Sequence, residues 1–174
     1  MTELVGILRK MRTRNVRTYI QSGNAIFQSE RIDTQEVAGR ITTAIDRRYG
    51  FAPRVILLTL AELKKAFAAN PYPEAASQPQ ALHLVFLASV PRRPDLAALE
   101  RLQSGSERFA LKGSVFYLHA PEGVGKSKLF ARIEKSLGPG TARNWRSVCN
   151  VQAIAEQIGR EASKPAVQAG ARRH

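Results

Sequence analysis

Three features of the 174-residue sequence predict an α+β fold. Amphipathic helix-length segments alternate with short β-rich runs, the runs come in pairs joined by Gly-containing turns, and the pattern repeats after a Pro-rich break. The 44% hydrophobic content suffices for a core, and the length leaves a choice between one domain and two small ones.

Leu4, Ile7, Leu8 and Met11 recur at helical spacing and predict a helix over residues 3 to 12 with its basic side in water. Val16 to Ile20 and Asn24 to Gln28 flank Gln21-Ser22-Gly23, which predicts an antiparallel hairpin with Gly23 supplying the unusual backbone angle. Asp33 with Glu36 reads as a capping box, and Val37, Ile41, Ile45 and Tyr49 mark one face of a helix ending at Gly50. Pro53 closes it, and Arg54 to Leu58 is a continuous apolar run that predicts a strand. Thr59 with Glu62 is a second capping box, opening a helix through Leu60, Leu63 and Phe67 that stops before Asn70-Pro71.

Residues 70 to 80 (NPYPEAASQPQ) read as a linker. Beyond them come a strand over Leu82 to Leu87, a helix over Asp95 to Leu102, and a hairpin of Arg108 to Leu111 with Ser114 to His119 around Lys112-Gly113. A helix then carries Leu129, Ile133 and Leu137 behind a Ser127 cap. After Gly138-Pro139-Gly140, residues 141 to 148 read as short and extended, with Asn150 capping a last helix through Val151, Ile154 and Ile158.

The second half therefore has the strand-helix-strand-strand-helix-strand order of a split βαβ, ferredoxin-like fold. The first half shows the same order without its opening strand. The expected organisation is a truncated ferredoxin-like subdomain with a connecting helix over 1–69, the linker 70–80, a second ferredoxin-like subdomain over 81–158, and a disordered basic tail over 159–174. The opening strand is central in this order, so its absence strips two neighbours of hydrogen-bond partners. The expectation is that Met1 is an internal methionine or the gene a truncated copy, which the intact mass from the native host would check. A partner's strand replacing the missing one makes a homodimer through the first subdomain a further expectation.

The charge narrows function more than fold. Lys+Arg 27 against Asp+Glu 14 gives +13, which calls for an anionic partner such as nucleic acid. The densest basic group is Arg9, Lys10, Arg12, Arg14 and Arg17, with Arg160, Lys164, Arg172 and Arg173 decorating the tail; a solvated basic surface is the plainer reading of both. No apolar run is long enough for a membrane span and no signal core is present, so a cytoplasmic protein is expected. The single cysteine, Cys149, excludes an internal disulfide, and His83, His119 and His174 lie too far apart to suggest a metal cluster. No metal or cofactor is expected.

Three stretches carry a family resemblance: residues 16 to 28 (VRTYIQSGNAIFQ), 115 to 129 (VFYLHAPEGVGKSKL) and 142 to 147 (ARNWRS). In order and spacing they are similar to the hallmark segments of domain of unknown function 1697, an uncharacterised bacterial family. The resemblance extends to about residue 158, and Thr-Tyr-Ile-Gln-Ser-Gly-Asn is its most specific motif. It implies a pair of ferredoxin-like subdomains, usually preceded by a strand and a Gly-rich loop that this sequence lacks. It implies no established activity.

Within those stretches, Ala120-Pro-Glu-Gly-Val-Gly-Lys-Ser127 loosely fits a nucleotide loop. Pro121 removes an amide donor, no strand ends in an Asp for magnesium, and an antiparallel hairpin is the wrong host for a parallel-sheet phosphate loop. Amides near residue 127, with Gly125, Lys126, Ser127 and Lys128, could still hold one phosphate or carboxylate without hydrolysis. Arg143, Asn144, Trp145 and Arg146 suit either base stacking on Trp145 with arginines on phosphates, or a Trp anchor between subdomains. Tyr19, Gln21, Ser22, Gly23 and Asn24 offer short polar groups for a ligand or for the turn's own backbone. Cys149 reads as a small core residue, His83 as packed, and His119 as a strand end beside the Gly loop.

The preferred function is a non-enzymatic module binding an anionic ligand, nucleic acid among the candidates, at these three segments. The alternative is an enzyme acting on a small phosphorylated or carboxylated substrate through Lys126, Ser127 and the arginines, against which stands the lack of an evident general base.

Overall fold

The computed structural model describes residues 2–19, 23–30 and 33–163. Its elements are α1 (Thr2–Lys10), β1 (Arg14–Tyr19), β2 (Asn24–Gln28), α2 (Thr34–Tyr49), α3 (Leu60–Ala68), β3 (Leu82–Leu87), α4 (Leu96–Glu100), β4 (Arg108–Lys112), β5 (Val115–His119), α5 (Lys128–Leu137), β6 (Gly140–Asn144) and α6 (Trp145–Ser163). The fold is α+β with two antiparallel sheets, one of two strands and one of four.

The larger sheet has the order β4-β5-β3-β6, with β3 antiparallel to both neighbours and Val85 opposite Phe116 and Ala142. β3 reads as a continuous apolar run because both its faces are covered. Leu82, Leu84 and Phe86 join Leu63, Ala66, Tyr117, Trp145 and Val148 on the side of α3 and α6. Val85 and Leu87 join Leu99, Phe116, Leu118, Leu129 and Ile133 on the side of α4 and α5. β6 approaches β3 so closely that a Cβ on Gly140 would lie 2.9 Å from the Phe86 carbonyl oxygen, so the strand must begin with glycine.

In the first half, α1 and α2 pack on the β1–β2 hairpin through Leu8, Val37 and Ile41, joined by Val16, Phe27, Val55 and Leu57. The Asp33 side chain accepts from the amides of Gln35 and Glu36 to start α2, and Gly50, at φ 73°, ends it in the left-handed conformation. Thr59 and Glu62 form the full capping box of α3. The last helix, α6, touches both sheets and joins the halves.

Four sequence expectations change. First, residues 54–58 lie outside both sheets. Their apolar pattern correctly marks burial, with Val55, Ile56 and Leu57 half-buried, but a ladder needs a neighbour. In the second half the last strand, β6, pairs with the opening strand β3, and the first half has no counterpart of β3 among the described residues. Second, residues 145 to 148 are helical rather than extended. The Asn144 Oδ1 accepts from the Ser147 amide at 2.9 Å, so Asn144 caps α6 and Asn150 sits inside the helix. α6 also runs beyond Gly159 to Ser163, and within 70–80 a 3₁₀ turn over Pro73–Ser77 keeps Tyr72 and Ala75 buried.

Candidate anion-binding site

The hairpin motif and the 142–147 motif meet. Tyr19 ends β1, Gly23 turns the chain at φ 86°, and Asn24 opens β2 opposite Tyr19; Gln21 and Ser22 lie outside the described residues. Asn24 Oδ1 accepts from Arg143 Nε at 2.6 Å, and Asn24 Nδ2 donates to the Tyr19 carbonyl at 3.3 Å. Arg143 Nη1 donates to Thr141 Oγ1 and to the Ala142 carbonyl, both at 2.7 Å. A second link joins the motifs, since Asn150 Nδ2 donates to the Tyr19 hydroxyl at 2.9 Å and to the Arg146 carbonyl at 2.8 Å.

Arg143 has an unusual electrostatic position. It is half-buried, and this desolvation lowers its pKa below the usual guanidinium range, yet arginine stays charged at neutral pH. Its partners are an amide oxygen, a hydroxyl and a carbonyl, and among the described residues none is a carboxylate. Nη2 makes no hydrogen bond among the described residues. Arg146, in the first turn of α6, is exposed.

Trp145 does not share this surface. It is 5% exposed and its ring stacks on Phe67 with centroids 4.5 Å apart, leaving no open face for a base. Of the two readings of this residue, the structure takes the anchor: Trp145 fastens α6 to α3 and β3.

The Gly loop lies at the same end of the larger sheet. β5 ends with His119 opposite Leu82, and β6 ends with Asn144 opposite His83. Only β3 separates them, so their backbones are two strand spacings, about 10 Å, apart. Lys126 and Lys128 are exposed there, beside the exposed Gly125. Ser127 Oγ accepts from the Phe130 amide at 2.9 Å, so its hydroxyl is a helix cap, and Glu122 in the same loop takes a hydrogen bond from Ser106.

The remaining polar candidates are tied up elsewhere. His119 lies beside Arg108 and the Tyr72 ring, and Arg108 pairs with Glu74; this group fastens the 3₁₀ turn to the β4–β5 hairpin. Burial pushes the Cys149 thiol up, away from thiolate reactivity. Among the described residues no three His, Cys, Asp or Glu side chains cluster as metal ligands, and no helix is long and apolar enough to cross a membrane.

Sequence reasoning missed Thr141, Asn150 and the cavity beside Arg143. That cavity, of about 780 Å³, is lined by β2, residues 53–59, α1, α2 and α6. Its walls come from segments far apart in the chain, so no local motif signals it.

The model of the family described as "Protein of unknown function (DUF1697)" matches residues 1–117. The chain belongs to the DUF1697 family. The match covers the hairpin motif and ends inside the second motif, leaving residues 142–147 beyond it. Among solved structures, the conserved bacterial protein SP0830 from Streptococcus pneumoniae is similar at 20% identity, with a TM-score of 0.68 over 90% of this chain and 88% of that one. This likeness shows a shared fold. Comparison with curated proteins finds no match.

Proposed function

We propose that this DUF1697 protein is a binding module for an anionic ligand, seated on Asn24 and Arg143 and extended by Arg146, Lys126 and Lys128 at the same sheet end. The observation that carries the reading is Arg143, a half-buried guanidinium whose partners among the described residues are all neutral and leave Nη2 unbonded there. A phosphate or carboxylate there would gain charge-assisted hydrogen bonds, worth about 1.5–3 kcal/mol each, while neutralising a guanidinium that meets no carboxylate among the described residues. Asn24 and Thr141 hold the guanidinium plane in place beforehand, which lowers the ordering cost on binding. The net charge of +13 favours a polyanion, nucleic acid included, over an isolated carboxylate.

An enzyme acting on a small phosphorylated or carboxylated substrate needs a proton-transfer group at the site. The groups that touch Arg143 are amide, hydroxyl and carbonyl, which bind and orient but do not exchange protons near neutrality. Binding without chemistry is therefore the better supported reading.

The test is a fluorescence anisotropy titration of labelled single-stranded RNA and DNA across a salt series. Four phosphate contacts, by Arg143, Arg146, Lys126 and Lys128, give a slope of log K against log salt of about −3. Arg143→Gln should weaken binding about tenfold or more, and removing residues 164–174 should leave it intact. Binding that is lost with the tail alone, or is indifferent to Arg143→Gln, would overturn the reading.

A further inference from the structure

A band of cations runs the length of α5. Lys128, Arg132 and Lys135 stand at i, i+4 and i+7, which puts them on one face of the helix. Lys126 continues the band into the Gly loop at one end. At the other end Arg92 and Arg93 join it from the loop between β3 and α4. That loop is fastened to the end of α5, the Asp95 amide donating to the Ser136 carbonyl at 3.2 Å and the Ala88 amide to the Pro139 carbonyl at 2.8 Å. All six cations are exposed except Arg132, which is half-buried, with its Nε shielded from water and without a hydrogen-bond partner among the described residues. Its stem is thus packed, and its guanidinium has less freedom to lose on binding.

The carboxylates of these segments are turned to other partners. Glu134 on α5 pairs with Arg54 at 2.8 Å, Asp95 caps α4 by accepting from the Ala98 amide at 3.0 Å, and Glu122 in the Gly loop accepts from Ser106 at 2.8 Å. Among the described residues none of the six cations is ion-paired, whereas Arg17, Arg48, Lys64 and Arg108 each meet a glutamate. Like charges at helical spacing repel, a cost that a bound polyanion relieves. α5 has 10 residues and is about 15 Å long, room for four or five phosphates of a strand that advances about 3.4 Å per nucleotide. Val90, 62% exposed beside the two arginines, is too little apolar surface to enter a bilayer. Phe130, half-buried against His83, gives a base no open ring. The band therefore suits backbone phosphates and reads no bases.

We propose that this face of α5 is a phosphate track for a nucleic-acid strand, on which Arg92, Arg93, Arg132 and Lys135 extend the anion site of the sheet end along the helix. The proposal rests on the anion reading through Lys126 and Lys128, which belong to both, while its own four cations lie apart from Arg143. Because the track holds the backbone, binding is independent of base sequence.

The experiment uses the full chain, Arg143→Gln, and the triple variant Arg92→Gln/Arg93→Gln/Lys135→Gln, whose substituted side chains are all exposed. Fluorescence anisotropy follows labelled strands of about 15 nucleotides, long enough for both the sheet end and the track, across a salt series. Four contacts at the sheet end and four along the track give a slope of log K against log salt of about −6 on single strands, against about −3 for the sheet end alone. The triple variant should flatten that slope by about 2 with an unchanged Tm. Mixed-sequence and homopolymer strands should bind alike, and strands with a neutral methylphosphonate backbone should not bind. Duplexes are titrated in parallel, and loss of binding by the triple variant on either form supports the track. If the triple variant binds like the wild type while Arg143→Gln is weakened, the track is overturned and the sheet-end site stands. If Arg143→Gln binds like the wild type while the triple variant is weakened, the track stands and the role of Arg143 falls. Displacement of the strand by poly-glutamate at equal charge, or binding to phosphatidylserine vesicles in preference to oligonucleotides, would also overturn the proposal.

Discussion

Replacing Trp145 by Ala tests how the two halves of the structure are fastened. Trp145 is 5% exposed, stacks on Phe67 and sits in one cluster with Leu63, Tyr72, Leu84, Tyr117 and Val148, so its removal leaves a cavity that several elements border. Truncating a buried Trp to Ala costs about 3–5 kcal/mol, and the lost ring pair accounts for up to about 1.5 kcal/mol of it. Against a total stability of about 5–15 kcal/mol this is a large share. At about 2–4 °C per kcal/mol for a chain of this size, the melting temperature should fall by roughly 10 °C or more. Urea unfolding followed by far-ultraviolet circular dichroism measures it, because this is the chain's single tryptophan and its fluorescence disappears with the substitution. A loss below about 1 kcal/mol, with weakened oligonucleotide binding, would refute the anchor and restore Trp145 as an exposed stacking platform.

Three further predictions concern the core and its titration. Tyr117, buried with its phenol pKa pushed up to about 12, donates to the Ala66 carbonyl at 2.7 Å near the end of α3. Tyr117→Phe should cost about 1–3 kcal/mol in urea unfolding with an unchanged m-value. Gly140→Ala should cost about 1–3 kcal/mol, since the new Cβ meets the Phe86 carbonyl and the Val85 side chain and the lower flexibility of Ala offsets only part of this. Burial holds His83 below the ordinary imidazole pKa, its contact with the Ala81 backbone opposing this, so as pH falls the unfolded chain takes the proton first. Stability should be complete above about pH 6.5, decline below it and level off once the folded pKa is passed, and His83→Leu should flatten that decline in pH-dependent melts.

Much of the fold is legible locally. Thr59 and Glu62 announce α3, Gly50 ends α2, and the apolar run Leu82–Leu87 marks the central strand, because caps, turns and two-sided burial leave their signatures within a few residues. The same reasoning fails at Arg54 to Leu58, where an apolar pattern reports burial but cannot supply a ladder partner that the described chain does not place there. The start of α6 is hidden for a different reason. Asn144 and Asn150 are equally good caps by residue type, and only the pairing of β6 with β3 decides that the strand ends at Asn144.

The candidate site divides in the same way. Tyr19, Asn24 and Arg143 can be singled out because short polar groups and arginines stand out beside tight turns. Their meeting rests on the fold bringing residues 119 positions apart into hydrogen-bond contact, which no spacing rule contains. By residue type Trp145 suits stacking a base and anchoring a helix equally; its burial against Phe67 decides between them.

The most direct test of the anion site is a nuclear magnetic resonance titration of the full chain with inorganic pyrophosphate, following the arginine Nε–Hε cross-peaks. Arg143 should shift saturably and ahead of the exposed arginines, and Arg143→Gln should abolish the saturable phase. Shifts confined to exposed arginines and rising linearly without saturation would contradict the account.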